Sequence, residues 1–149
     1  MPGPDKNGGG EIVITFEDLY TEGQAMGPLP SGYMGFTWSD DAWFINRTFS
    51  PSICPGVRIG LFNAHGKDIT IESKDPFDLK GLSLCTLWAN DARVRVEGWE
   101  KKVIKYTTTQ TVPRASTIQC ALDYRRIDRV ELMTGGTHIL INTISVLIR

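Results

Sequence analysis

Apolar and polar positions alternate most clearly in Ala92-Arg93-Val94-Arg95-Val96-Glu97. A period of two is what an extended strand with one dry and one wet face requires. Val94 and Val96 are expected to face inward, and Arg93, Arg95 and Glu97 outward. Upstream, Leu79, Leu82, Leu84, Leu87 and Trp88 form a nearly continuous apolar run, which suits a central strand buried on both faces. Ala89-Asn90-Asp91 reads as the turn between the two, and Val103 to Thr108 opens a third strand after Gly98. Pro76 to Tyr106 thus predicts three consecutive antiparallel strands.

The same reading extends along the chain. Glu11 to Phe16, Tyr33 to Trp38 and Trp43 to Ile45 are extended; Gly23 to Gly32 and Arg47 to Gly56 are loops rich in breakers. Val57 to Asn63 and Asp68 to Ser73 form a hairpin or neighbouring pair around residues 64–67. Thr117 to Leu122, Ile127 to Met133 and His138 to Ile148 complete the set, with one helical turn allowed over Ala121 to Arg126. Thr134-Gly135-Gly136-Thr137 has the composition of a hairpin turn joining the last two strands. Roughly ten short strands without a long amphipathic helix define an all-β chain, an antiparallel two-sheet β-sandwich of jelly-roll type.

Length fits this architecture. The 149 residues suit one domain, which buries roughly 70% of its unfolded surface without a metal or disulfide staple. Residues 1–10, MPGPDKNGGG, lack an apolar core and read as a disordered leader, leaving 11–149 as the domain. A net charge of −1 with scattered Lys and Arg gives no electrostatic footprint for nucleic acid. No apolar run of about 18 residues predicts a membrane-spanning helix. Three cysteines, Cys54, Cys85 and Cys120, leave at least one thiol unpaired within the chain. They are expected to be buried free thiols acting as small hydrophobes, and their spacing does not suit zinc.

Candidate chemistry is sparse. The acid pairs Glu17/Asp18 and Asp40/Asp41 would point to opposite faces of a strand, and His65 and His138 stand alone. The chain is therefore expected to be non-catalytic. Four tryptophans, Trp38, Trp43, Trp88 and Trp99, stand at or near strand ends and turns with polar neighbours. An indole stacks on the apolar face of a sugar ring while nearby Asp, Asn or Arg take its hydroxyls. Trp38 and Trp88 are assigned to the core. Trp43 and Trp99, with Asp40, Asp41 and Asn90, are the candidate platform for a glycan or polysaccharide. The alternative is that exposed aromatics pack against another protein or a second copy of the chain. Asn46-Arg47-Thr48 is a glycosylation sequon and points weakly to secretion.

Several short stretches resemble a known class. They are Ile14-Thr15-Phe16-Glu17-Asp18-Leu19, Leu29-Pro30-Ser31-Gly32-Tyr33-Met34-Gly35-Phe36-Thr37-Trp38, Pro76-Phe77-Asp78-Leu79, Val94-Arg95-Val96-Glu97-Gly98-Trp99, Ile127-Asp128-Arg129-Val130 and Asn142-Thr143-Ile144-Ser145-Val146. In order and content they resemble carbohydrate-binding-module-like, galactose-binding-like jelly-roll domains of secreted proteins, and in particular uncharacterised domains of PEP-CTERM-class exported proteins. The resemblance implies a lectin-like, secreted or extracellular domain. It also implies a structural Ca²⁺ between the first and last strands, with Glu17, Asp18 and Asn142 at the matching positions. That class usually has Asp where Asn142 stands and Asn where Thr143 stands, so one ligand charge is lost here.

Overall fold

A computed structural model describes residues 10–20, 24–46, 57–86, 91–113 and 116–149. Among these residues the strands are β1 (Glu11–Ile14), β2 (Met26–Pro28), β3 (Thr37–Trp38), β4 (Ala42–Asn46), β5 (Ile59–Asn63), β6 (Ile69–Thr86), β7 (Asp91–Glu100), β8 (Val103–Pro113), β9 (Ile118–Met133) and β10 (Ile139–Ile148). Single 3-10 turns occupy Glu17–Leu19 and Tyr33–Gly35. The strands pair antiparallel in the order β2-β4-β5-β10-β6-β9-β7-β8, with β1 added to β10 and β3 to β6.

This ladder folds over into two leaves. Ile69 at the start of β6 pairs with Leu132, and Thr86 at its end pairs with Ile139. Leu132 and Ile139 are joined by so little chain that they stand at most about 25 Å apart. A straight strand of 18 residues would hold its ends roughly 56 Å apart. β6 must therefore bend, and it does so where its register with β9 slips between Glu72 and Phe77. The first leaf holds β2, β4, β5, β1, β10, the second half of β6 and the first half of β9. The second leaf holds β3, the first half of β6, the second half of β9, β7 and β8. The inward residues of both, Leu82 and Leu84 among them against Val94, Val96 and Val112, form one buried cluster. The molecule is an all-β, antiparallel two-sheet sandwich.

Local readings hold better than pairings. β6 and β7 are not neighbours, because β9 lies between them; the three consecutive strands expected around residues 76–106 reduce to the β7–β8 hairpin. β5 pairs with β4 and β10 instead of β6, so residues 64–67 close no hairpin. The Thr134–Thr137 turn carries the chain from β9 to β10, which flank β6 without pairing to each other. Residues 121–126 make no helical turn; β9 runs through them, with Arg126 in a left-handed conformation (φ 52°) at a slip in the ladder.

Side-chain placement brings two further corrections. Glu97 keeps the outward side of Arg95, whose guanidinium it meets at 3.2 Å, but it is buried there and not wet. Cys85 is disulfide-bonded, not a free thiol. Cys120 is free and buried, and burial pushes its thiol pKa up. Cys54, Leu87, Trp88 and the residues of the sequon beyond Asn46 lie outside the described residues.

Candidate functional site

The turn Ser39–Asp41 carries the chain from β3 in the second leaf to β4 in the first. Trp38, half-buried at its start, is held by its own neighbours. Its Nε1 donates to the Tyr33 carbonyl at 2.8 Å, and its ring meets those of Phe16, Tyr33 and Phe36 at centroid distances of 6.1–6.2 Å. These contacts build a rigid aromatic wall. Beside it lies an open groove of about 350 Å³ whose lining includes Pro28, Leu29, Ser31, Thr37, Trp38 and Asp40. Ser31, Thr37 and Asp40 are exposed. Among the described residues the Asp40 carboxylate has no hydrogen-bond or ion-pair partner.

Asp41 turns the other way. It is 4% exposed and accepts three bonds: from the His65 amide at 2.8 Å, His65 Nδ1 at 2.7 Å and the Lys67 amide at 2.8 Å. A carboxylate satisfied by two amides and an imidazole is a clamp between the 39–41 and 63–67 turns, and is not presented to a ligand. Trp43 stays with Asp40: its Nε1 donates to the Asp40 carbonyl at 3.2 Å, and its ring meets His65 edge-on at 5.6 Å. The structure thus gathers Asp40, Asp41 and Trp43 around one turn and adds Trp38, Thr37 and His65. Nothing in the sequence signals the Asp41–His65 contact, which joins residues on separate turns.

Trp99 stands apart from this group. It lies in the second leaf at the end of a row running Thr37, Glu72, Arg129, Trp99 across four adjacent strands. The Arg129 guanidinium lies over its ring at 5.7 Å and also reaches Glu131 at 3.3 Å and Glu72 at 3.5 Å. Trp99 is half-buried under that cation, and its Nε1 is buried without an acceptor among the described residues. Its register with β9 runs unbroken from Arg95 to Trp99, so it keeps the outward face of Arg95 and Glu97, and the Arg129 side chain covers it there. Asn90 lies outside the described residues.

Glu17 and Asp18 occupy the 3-10 turn after β1, and Asn142 sits at a ladder irregularity in β10, the strand that β1 pairs with. Glu17 forms an ion pair with Arg58, whose Nε is 3.1 Å from Oε1. Asp18 accepts from the Tyr33 hydroxyl at 2.6 Å; burial first, then this bond and the Asp18 charge, push the Tyr33 phenol pKa up. These contacts engage Glu17 through Oε1 and Asp18 through Oδ1, leaving the second oxygen of each carboxylate uncommitted among the described residues.

No family model and no curated protein matches the chain. Among solved structures it is similar to an agarase, AgWH50C, at 9% identity and a TM-score of 0.48, over 85% of this chain and 25% of that one. The chain spans about a quarter of the agarase's length. It is also similar to CBM29_1, a family 29 carbohydrate binding module from Piromyces equi, at 12% identity and a TM-score of 0.48, over 93% of this chain and 90% of the other.

Proposed function

We propose that the domain is a non-catalytic carbohydrate-binding module of a secreted or cell-surface protein, taking a polysaccharide in the groove beside Trp38. One observation carries the reading: a fixed indole and an uncommitted carboxylate, Asp40, line the same open groove with the Thr37 and Ser31 hydroxyls. The C–H face of a sugar ring packs against the indole while Asp40 accepts from its hydroxyls. Trp43 does not line the groove; it packs on the other face of its strand with Phe62 and Leu140. Hydrolysis would require two working carboxyls flanking the bond, and Asp41, the neighbouring acid, is buried in its clamp. The disulfide-bonded state of Cys85 supports an oxidising compartment.

Titration with a panel of cell-wall polysaccharides, followed by tryptophan fluorescence, tests the reading. One class is expected to shift the emission, and Asp40→Ala is expected to weaken that binding by roughly tenfold, the loss of a charge-assisted hydrogen bond. A protein whose emission no polysaccharide alters, or whose binding survives Asp40→Ala unchanged, does not use this groove.

A further inference from the structure

A second cavity, of about 260 Å³, opens where β1, the Tyr33–Gly35 turn, the β6 bend and β10 meet. One side of it is hydrocarbon: Ile12 and Ile14 from β1, Val146 and Ile148 from β10, and the rings of Phe36 and Phe77, set edge-to-face at 5.0 Å. Polar groups lie at the mouth. Arg149 is already committed, its Nε and Nη2 donating to the Asp78 carboxylate at 2.7 and 3.0 Å. Asp75 is exposed, and among the described residues its carboxylate meets no cation or donor. Ser73 Oγ accepts from the Asp75 amide at 3.2 Å, which holds the two together at the rim.

The lip has its own peculiarity. Met34 is a non-glycine residue in the left-handed region (φ 55°), 44% exposed, and it lines the cavity beside Gly35 at φ 82°. A strained backbone that keeps a flexible thioether at the entrance of an apolar cavity is a feature of ligand clamps.

These features select a ligand chemistry. On the aliphatic side of the cavity a sugar's ring hydroxyls would go unbonded at about 1–3 kcal/mol each, which favours an apolar body there. Asp78 is paired with Arg149, so Asp75 is the carboxylate at the mouth that meets no cation among the described residues. We propose that this cavity binds a small hydrophobic amine, its hydrocarbon body against Ile12, Ile148 and Met34 and its ammonium on Asp75. Such a site is separate from the groove at Trp38 and does not depend on glycan binding.

n-Hexylamine, with hexanoate and glucose as contrasts, titrated against protein carrying ¹³C-methyl methionine, tests the assignment. Hexylamine is expected to move the Met34 methyl resonance, hexanoate to do so at least roughly fivefold more weakly, and glucose not at all. Asp75→Asn, an exposed substitution that leaves the core intact, is expected to weaken hexylamine about tenfold. Asp40→Ala is expected to leave hexylamine binding unchanged while it weakens polysaccharide binding, so the two sites fail separately. The assignment is overturned if the Met34 methyl is unmoved by hexylamine up to about 10 mM, if hexanoate binds as well as the amine, or if Asp75→Asn changes nothing.

Discussion

Lys101 and Lys102 close the β7–β8 hairpin with φ of 49° and 69°. Two successive left-handed residues are the backbone of a type I′ turn, which Asn-Gly adopts with least strain. Each lysine costs roughly 1 kcal/mol there. The double substitution Lys101→Asn, Lys102→Gly is therefore expected to raise unfolding free energy by about 1–2 kcal/mol, read as a higher urea midpoint at unchanged slope. A midpoint that falls would show that the lysines contribute more than their strain removes. Asp78 is a residue-scale case of the opposite kind. Burial acts to raise its pKa, but bonds from Arg149 and the Arg126 amide, with the Arg149 and Lys80 charges, outweigh it and hold the carboxyl below its ordinary value of 3.8. A depressed folded-state pKa contributes stability that is present above 3.8 and lost as pH falls through the lower folded value. Asp78→Asn is expected to be less stable at neutral pH and to lose less stability on acidification below that point. Parallel pH–stability curves for the two proteins would remove Asp78 from the acid response.

Individual strands were legible from alternation and turn residues, as β7, β5 and the start of β9 show, because side-chain period is a local property. What they pair with was not. The Thr134–Thr137 turn has hairpin composition, yet β6 lies between β9 and β10, since pairing is decided by burial across the whole sandwich. Nor did any local signal show that Arg129, the β9 partner of Trp99, lies over its ring, or that Glu97 is buried on the outer face. Gly98 itself has a steric reason. A Cβ there would stand 2.7 Å from Tyr124 Cδ2 and 3.3 Å from Ile127 Cγ2. The Tyr124 ring crosses β7 at this point, stacks on Tyr106 at 4.7 Å, and donates its hydroxyl to the Val96 carbonyl at 2.8 Å. Gly98→Ala must displace a ring fixed on two sides, and is expected to cost about 1–3 kcal/mol. Urea denaturation reads this directly; a variant as stable as the parent would mean that the ring moves freely.

At the scale of the molecule, β6 and β9 belong to both leaves, so neither leaf has a core of its own. The candidate groove shares this dependence: Trp38 ends a strand of the second leaf and Asp40 leads into the first. A tryptophan beside acidic turn residues was visible in the sequence, whereas the inward turn of Asp41 depends on His65 and Lys67 meeting it from another turn, which no spacing rule encodes. Asn63 ties the arrangement together. Fully buried, it donates through Nδ2 to the Thr137 carbonyl at 2.9 Å and Thr134 Oγ1 at 3.2 Å, and its Oδ1 accepts from the Ile139 amide at 2.8 Å. These bonds pin the chain where it passes between leaves. Removing them strands buried donors and acceptors, so Asn63→Ala is expected to cost about 2–4 kcal/mol. Because the two leaves share strands, that loss is expected to fall on the whole domain. Unfolding should remain a single transition, with far-UV circular dichroism and tryptophan fluorescence giving the same midpoint in parent and variant. Midpoints that separate in Asn63→Ala would show one leaf surviving the other, and the shared strands would then not make the sandwich one cooperative unit.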